Sequence, residues 1–270
     1  MVNKALHDQT VLQSFAFDNV HGHMYTVQVK NGAGSPAAGD LCVTKLSLTG
    51  TILGHMYLMG FGHGVQIGVE PSGSSAYLWT ETDGVSDGVN AWGRKLARFP
   101  FVNGQTLTTS SSSLRKYAPI AGATSTTCAI DPSTNRLVMR HRRAGAARYA
   151  VYDLSTIKAG GSTPLFDIAE PPGLGVFQGY TALGQHLYMF DGTAYSASNP
   201  TGDTHLTSVD LTTGKVVQRS FTAAWKSLNY REPEGMAIQL AGGNPRLCFG
   251  FASGGAGARR TSIIYKNGLA

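Results

Sequence analysis

Residues 128–143, CAIDPSTNRLVMRHRR, decide the fold. A short run of small and apolar residues from Cys128 to Ile130 meets a turn built on Asp131, Pro132 and Ser133, and a second strand pattern follows. That is the signature of a β-hairpin, because Pro, Ser and Asn suit tight turns and interrupt both helices and strands. Four more stretches read the same way: FAFDNVHGHMYTVQVK at 15–30, IGVEPSGSSAYLWTETD at 67–83, TALGQHLYMFDGT at 181–193 and MAIQLAGGNPRLCFGFAS at 236–253. Their starts at 15, 67, 128, 181 and 236 are spaced by roughly 50 to 60 residues, the period of a propeller blade.

The second half of each repeat completes the pattern. Residues 41–57, 95–109, 148–168, 205–221 and 261–269 each present an alternating strand, and in the complete repeats a Gly-containing turn leads to another. About four strands per repeat make one blade. The predicted fold is an all-β, five-bladed propeller of four antiparallel strands per blade. The blades are expected near 14–64, 65–125, 126–178, 179–234 and 235–270, in one domain spanning 1–270. The fifth repeat lacks its last strand, and Thr10–Gln13 are spare at the other end of the chain. These residues are expected to pair beside Thr261–Lys266 and close the ring, which removes exposed sheet edges. The competing fold is a β-sandwich with regular spacing.

Composition agrees with a turn-rich β protein. The 270 residues include 34 Gly and 11 Pro, which are costly inside helices, and only 14% are charged. A formal net charge of +6 favours approach to an anionic polymer. Cys42, Cys128 and Cys248 are far apart in apolar runs and read as buried free thiols, with no close spacing for a structural zinc. The N-terminal residues have no apolar signal-like core, and no run is long enough to span a bilayer. The expected location is outside the cell, with a signal peptide removed.

Residues that lead into the inner strands carry the candidate site. Three charged side chains crowd into Arg231-Glu232-Pro233-Glu234 ahead of Gly235 and the apolar run from Met236. Gly62-His63-Gly64 and Phe177-Gln178-Gly179 occupy the equivalent place in other repeats. In a propeller such lead-ins converge on one rim of the central channel. Gln13, His63, Gln178 and Glu234 are therefore candidate ligand-binding residues, with Thr126 or Thr127 as the counterpart in the third blade. Arg231 and Glu232 flank that ring. Arg231 offers a two-pronged donor for phosphate or carboxylate, or pairs with Glu232 to fix the turn. Trp92, in the Gly-rich stretch 83–93, is the candidate stacking platform, whereas Trp79 reads as core between blades.

Other chemistry is weaker. His21 and His23 share one side of a turn but have no further ligands nearby in sequence. Arg140-His141-Arg142-Arg143 and Arg259-Arg260 are basic clusters that read as solvated loops or as contacts for an anionic polymer. Neither a GxSxG elbow nor a P-loop is present, and Gly60-Phe61-Gly62-His63-Gly64 lacks dinucleotide spacing. No cofactor and no metal site are expected, although the ring of polar groups leaves room for a channel-bound cation.

The runs HDQTVLQSFAFD at 7–18, GFGHG at 60–64, CAIDP at 128–132, FQGY at 177–180 and REPEGM at 231–236 resemble the TagC-like β-propeller family. That family groups domains of phage receptor-binding proteins, proteins labelled teichoic acid biosynthesis protein C, and helveticin-type bacteriocins. The resemblance spans essentially the whole chain and implies a five-bladed propeller acting at or near a Gram-positive cell surface. It carries over no catalytic residues.

The leading expectation is an extracellular, lectin-like propeller that binds a cell-wall glycan or another anionic polysaccharide, alone or with a partner protein in a larger assembly. The alternative is an extracellular glycan hydrolase or lyase using Glu234, Glu232 and His63 at the channel mouth. Nucleic acid is disfavoured because the basic clusters lack interleaved aromatics. Membrane insertion is not expected.

Overall fold

The computed structural model describes residues 1–32 and 34–269. Five antiparallel sheets stand in a ring, each with an innermost strand: Leu12–Asp18, Gly68–Ser72, Thr124–Asp131, Phe177–Leu183 and Glu232–Ala241. In blades one to four the chain turns back from the inner strand through a second, third and fourth strand outward, and in blade five through a second and a third, Asn244–Ser253 and Arg260–Lys266. Blade three shows this in Arg136–Arg143, Ala146–Asp153 and Phe166–Ala169, and blade four in His186–Asp191, His205–Asp210 and Val216–Phe221. Among the described residues only two short helices occur, Ser35–Ala38 and Leu154–Lys158. No helix among the described residues is long and apolar enough to cross a membrane.

The core lies between blades rather than inside any one of them. Val43, Met56 and Leu58 of blade one pack with Leu78, Ala97 and Phe99 of blade two, while Trp79 and Leu96 of blade two pack with Leu137 and Met139 of blade three. Successive residues Leu78 and Trp79 thus serve opposite neighbours, because side chains alternate faces along a strand. A sheet buried on both faces gains from apolar residues at consecutive positions, which is why the strands read as near-continuous apolar runs. Trp79 lies between blades as expected, and the three cysteines are free and buried.

The ring is closed by the N-terminus, but by a different segment from the one expected. Lys4 pairs with Thr261 through N–H···O bonds of 2.9 and 2.8 Å, and the Ile263 N–H donates to the Met1 carbonyl at 2.8 Å. Residues 1–4 therefore lie along Arg260–Lys266, the third strand of blade five. Leu12 and Gln13 instead open the inner strand of blade one, where Leu12 faces Gln28, and Thr10 bonds the Val29 carbonyl. Leu12 is fully buried between blades one and five, and that burial holds it in the inner strand.

A second departure concerns blade two. Thr106–Thr108 crosses over and adds a parallel fifth strand to Ile52–Met59 of blade one. The outer strand of blade two is Arg115–Tyr117, paired with Lys95–Pro100. Leu107, 1% exposed on the blade one–two core, fixes this exchange.

Candidate functional site at the channel mouth

Four of the five inner strands begin with the same irregularity. One extra residue interrupts the register between Leu12 and Ser14, Thr124 and Thr127, Phe177 and Gly179, and Pro233 and Met236. A β-bulge of this kind re-aims a side chain and bends the strand. Gln13 lies within the bulge of blade one, Ser125 and Thr126 within that of blade three, Gln178 within that of blade four and Glu234 within that of blade five. In blade two, residues 62–67 lie outside any strand and carry His63 to the corresponding place.

The lead-ins touch around the ring. A Cβ on Gly179 would stand 2.8 Å from the Gly235 Cα, and one on Gly235 would stand 2.8 Å from the Ser14 Cα, so only glycine admits these crossings. Ser14 Oγ donates to the Gly64 carbonyl at 2.6 Å, and the Thr126 N–H donates to the Gly93 carbonyl at 3.0 Å. Between blades three and four, the Tyr180 hydroxyl donates to the Val138 carbonyl at 3.0 Å and accepts the Arg140 N–H at 3.1 Å. Below them, Gln66 spans the channel. Its amide donates to the Met236 carbonyl of blade five at 3.2 Å and accepts the Tyr180 N–H of blade four at 3.3 Å.

Of the seven candidate binding residues, His63, Trp92 and Glu232 are partly exposed, whereas Gln13, Gln178, Arg231 and Glu234 are buried. His63 and Trp92 come together with ring centroids 4.8 Å apart, although they are distant in sequence. Trp92 Nε1 donates to Asp87 Oδ2 at 2.8 Å within a small hairpin, Val85–Ser86 against Ala91–Trp92. Burial holds the His63 imidazole low, at about 4, against the opposing charge of Asp87. Its Nδ1 is buried without a partner. Gln178 is committed to the Gly192 carbonyl at 2.9 Å.

Arg231 corrects an expectation. Tyr230 and Arg231 have positive φ values of 65° and 42°, and this turn accompanies an Arg side chain directed inward to full burial. Its guanidinium donates to the carbonyls of Ala224 and Thr222 and to Thr204 Oγ1, at 2.9 to 3.0 Å, and lies 4.3 Å from the Phe251 ring centre. Among the described residues it pairs with no carboxylate, and at full burial it presents no donor to the mouth. It holds together the loops on the top of blades four and five.

Glu232 accepts from the Tyr230 hydroxyl at 2.6 Å, and the Arg259 guanidinium lies 3.4 Å above the Tyr230 ring. Burial, then the charge and hydrogen bond of Glu232, push the Glu234 carboxyl well above the usual carboxylate range. Glu234 itself is buried, only 3% exposed.

Two groups escape a reading of the sequence. Glu81, wholly buried on the second strand of blade two, accepts the N–H groups of His63, Gly64 and Gly93 at 3.0, 2.6 and 2.6 Å. Arg140 is buried rather than solvated: its Nε donates to Glu170 at 2.8 Å and its guanidinium lies 3.9 Å from the Phe177 ring centre. His141 is buried as well, leaving Arg142 and Arg143 exposed. At the opposite end of the sheets, His21 is spent on Asp18 and the Gly73 carbonyl, at 2.7 and 2.9 Å. Among the described residues, no group of three or more His, Cys, Asp or Glu side chains is arranged to hold a metal ion.

The fold and its rim define a five-bladed propeller with a polar and aromatic mouth on one face. By sequence, the chain belongs to the family of phage five-bladed β-propeller receptor-binding platform domains, which matches residues 11–266. It is 30% identical, over 96% of its length, to a Bacillus subtilis (strain 168) protein named as major teichoic acid biosynthesis protein C, and spans 59% of that protein. It superposes on the tail fibre of Staphylococcus aureus phage P68 with a TM-score of 0.78 at 21% identity, covering 97% of this chain and 50% of the fibre. A more distant fold neighbour is an exo-β-1,3-galactanase of Phanerochaete chrysosporium, with a TM-score of 0.55 at 9% identity over 98% of this chain and 64% of the enzyme.

Proposed function

We propose that this chain is a receptor-binding module that works outside the cell and binds a Gram-positive wall glycan, teichoic acid or a related anionic polymer, at the mouth on its top face. The observation that carries this reading is the family match across residues 11–266, to a domain described as a receptor-binding platform. The mouth supplies suitable chemistry. Trp92 offers an aromatic face for a sugar ring, His63 a partly exposed imidazole beside it, and Glu232 a partly exposed acceptor for hydroxyl groups. The net positive charge assists the approach of a polyanion without specifying it.

Hydrolysis needs two carboxyl groups that reach the glycosidic bond. Glu234 is only 3% exposed, which leaves Glu232 alone of that pair at the surface and weighs for binding. Calorimetric titration of purified wall polymer into the full chain, with a parallel assay for released reducing ends, tests the proposal. Saturable binding without product, weakened at least tenfold by Trp92→Ala, is the expected outcome. Released reducing ends, or binding indifferent to Trp92, would refute it.

A further inference from the structure

The carboxylate of Glu81 lies beneath an aromatic pair that the top face brings together from two loops, His63 on one and Trp92 on the other. It is surrounded by bare backbone. A Cβ on Gly62 would stand 2.2 Å from its Oε2, and a Cβ on Gly93 would stand 2.4 Å from its own Cβ. Its three partners are main-chain N–H groups, two from the loop of His63 and one from the residue after Trp92. Every contact is a donor, so an ionised carboxylate satisfies all of them at full strength, whereas a protonated carboxyl gives up an acceptor position and the negative charge that strengthens these bonds.

We propose that Glu81 is the positioning residue of the mouth, a carboxylate latch that ties the His63 loop to the Trp92 hairpin and releases them when it takes up a proton. Its affinity consequences rest on the glycan-binding reading above; the latch itself does not.

The surrounding charges leave Glu81 as the titrating group. His63 faces it from the first loop, Asp87 and Arg94 belong to the second, and Cys128 faces it from the inner strand of blade three. His63 is held low at about 4 by burial, and Asp87 at about 2 by the Asn90 N–H, Trp92 and Val89. Burial pushes the Cys128 thiol far up. Glu81 itself is pushed up to about 7 by burial, against the pull of its three N–H donors.

The test is the tryptophan emission of the full ligand-free chain from pH 3 to 8.5, in wild type, Trp92→Phe and Glu81→Gln. Gln presents an NH₂ where a protonated carboxyl presents an O–H, so it imitates the released state. Wild type is expected to show one transition centred near 7 that is absent from both variants. A flat wild-type profile, a transition retained in either variant, or one centred near 4, where His63 titrates, overturns the latch. If Glu81→Gln fails to fold, wild type and Trp92→Phe still decide. With wall polymer present, wild-type affinity should fall about tenfold one pH unit below the midpoint, because only the latched fraction binds. Glu81→Gln should be weak and flat. Absence of any polymer binding would end the glycan reading while leaving the emission transition to decide the latch.

Discussion

Replacing Leu6 by Ala probes the closure of the ring. Leu6 is 6% exposed and packs with Leu12, Phe15 and Met24 of blade one and with Ala237, Cys248 and Ile263 of blade five. It anchors the segment whose Met1 and Lys4 pair with Ile263 and Thr261. A buried Leu-to-Ala change costs about 2 to 5 kcal/mol, depending on how far the site collapses. A terminal segment can settle into the space, so the lower half of that range applies, about 2 to 3 kcal/mol. For a chain of this size, that corresponds to roughly 5 to 10 °C in Tm. Ile52→Ala is the control. Ile52 is 43% exposed on an outer strand of blade one, and its loss should cost about 0.5 kcal/mol or less. Thermal melting followed by circular dichroism compares the two. A Leu6→Ala melt within about 1 °C of wild type would mean that the N-terminal segment does not hold the blades together.

Three further outcomes follow from the same structure. Burial raises the Glu70 carboxyl, but bonds from Arg98, Lys158 and Trp79 outweigh it and hold the group at about 2, below its ordinary 4.5. Its contribution of roughly 3 kcal/mol is present above pH 4.5 and lost as pH falls toward 2, so denaturant midpoints of Glu70→Gln should lose that acid limb. Gly235→Ala forces a Cβ to 2.8 Å from the Ser14 backbone at φ 74° and should melt far earlier than Gly73→Ala, which meets open space at φ 57° and costs only about 1 to 2 kcal/mol in chain conformation. Arg231→Lys forfeits a three-point donor set and a Phe251 contact, and should cost roughly 2 to 4 kcal/mol in melting while leaving polymer affinity within about twofold below the melt.

Much of the ring was legible because a hairpin with Gly, Pro, Asn or Asp at its turn repeats at regular intervals, and its turn chemistry is local. The strand exchange of Thr106–Thr108 was not, since nothing local distinguishes a strand that stays in its blade from one that joins the neighbour. The closing segment was misplaced for a related reason: residues 10–13 and residues 1–4 are both short and partly apolar, and only the burial of Leu12 between blades assigns the former inward. At the site, the lead-in positions were recognisable as equivalents, and four of them proved to be the same bulge. Whether a side chain faces the mouth or the interior depends on backbone angles that sequence spacing does not carry, as Tyr230 and Arg231 show. Glu81 had a readable signal: it shares an alternation face with Trp79, which marks an inward acid in need of donors, and the backbone N–H groups of His63, Gly64 and Gly93 supply them.

The most direct measurement of the central claim is a density map of the full chain soaked with a short fragment of wall polymer, at a concentration that saturates binding in solution. The account predicts ordered sugar density on the top face, resting on Trp92 beside His63 and reaching toward Glu232. Density seated on the opposite face or on the outer strands, with the mouth unchanged, would contradict it.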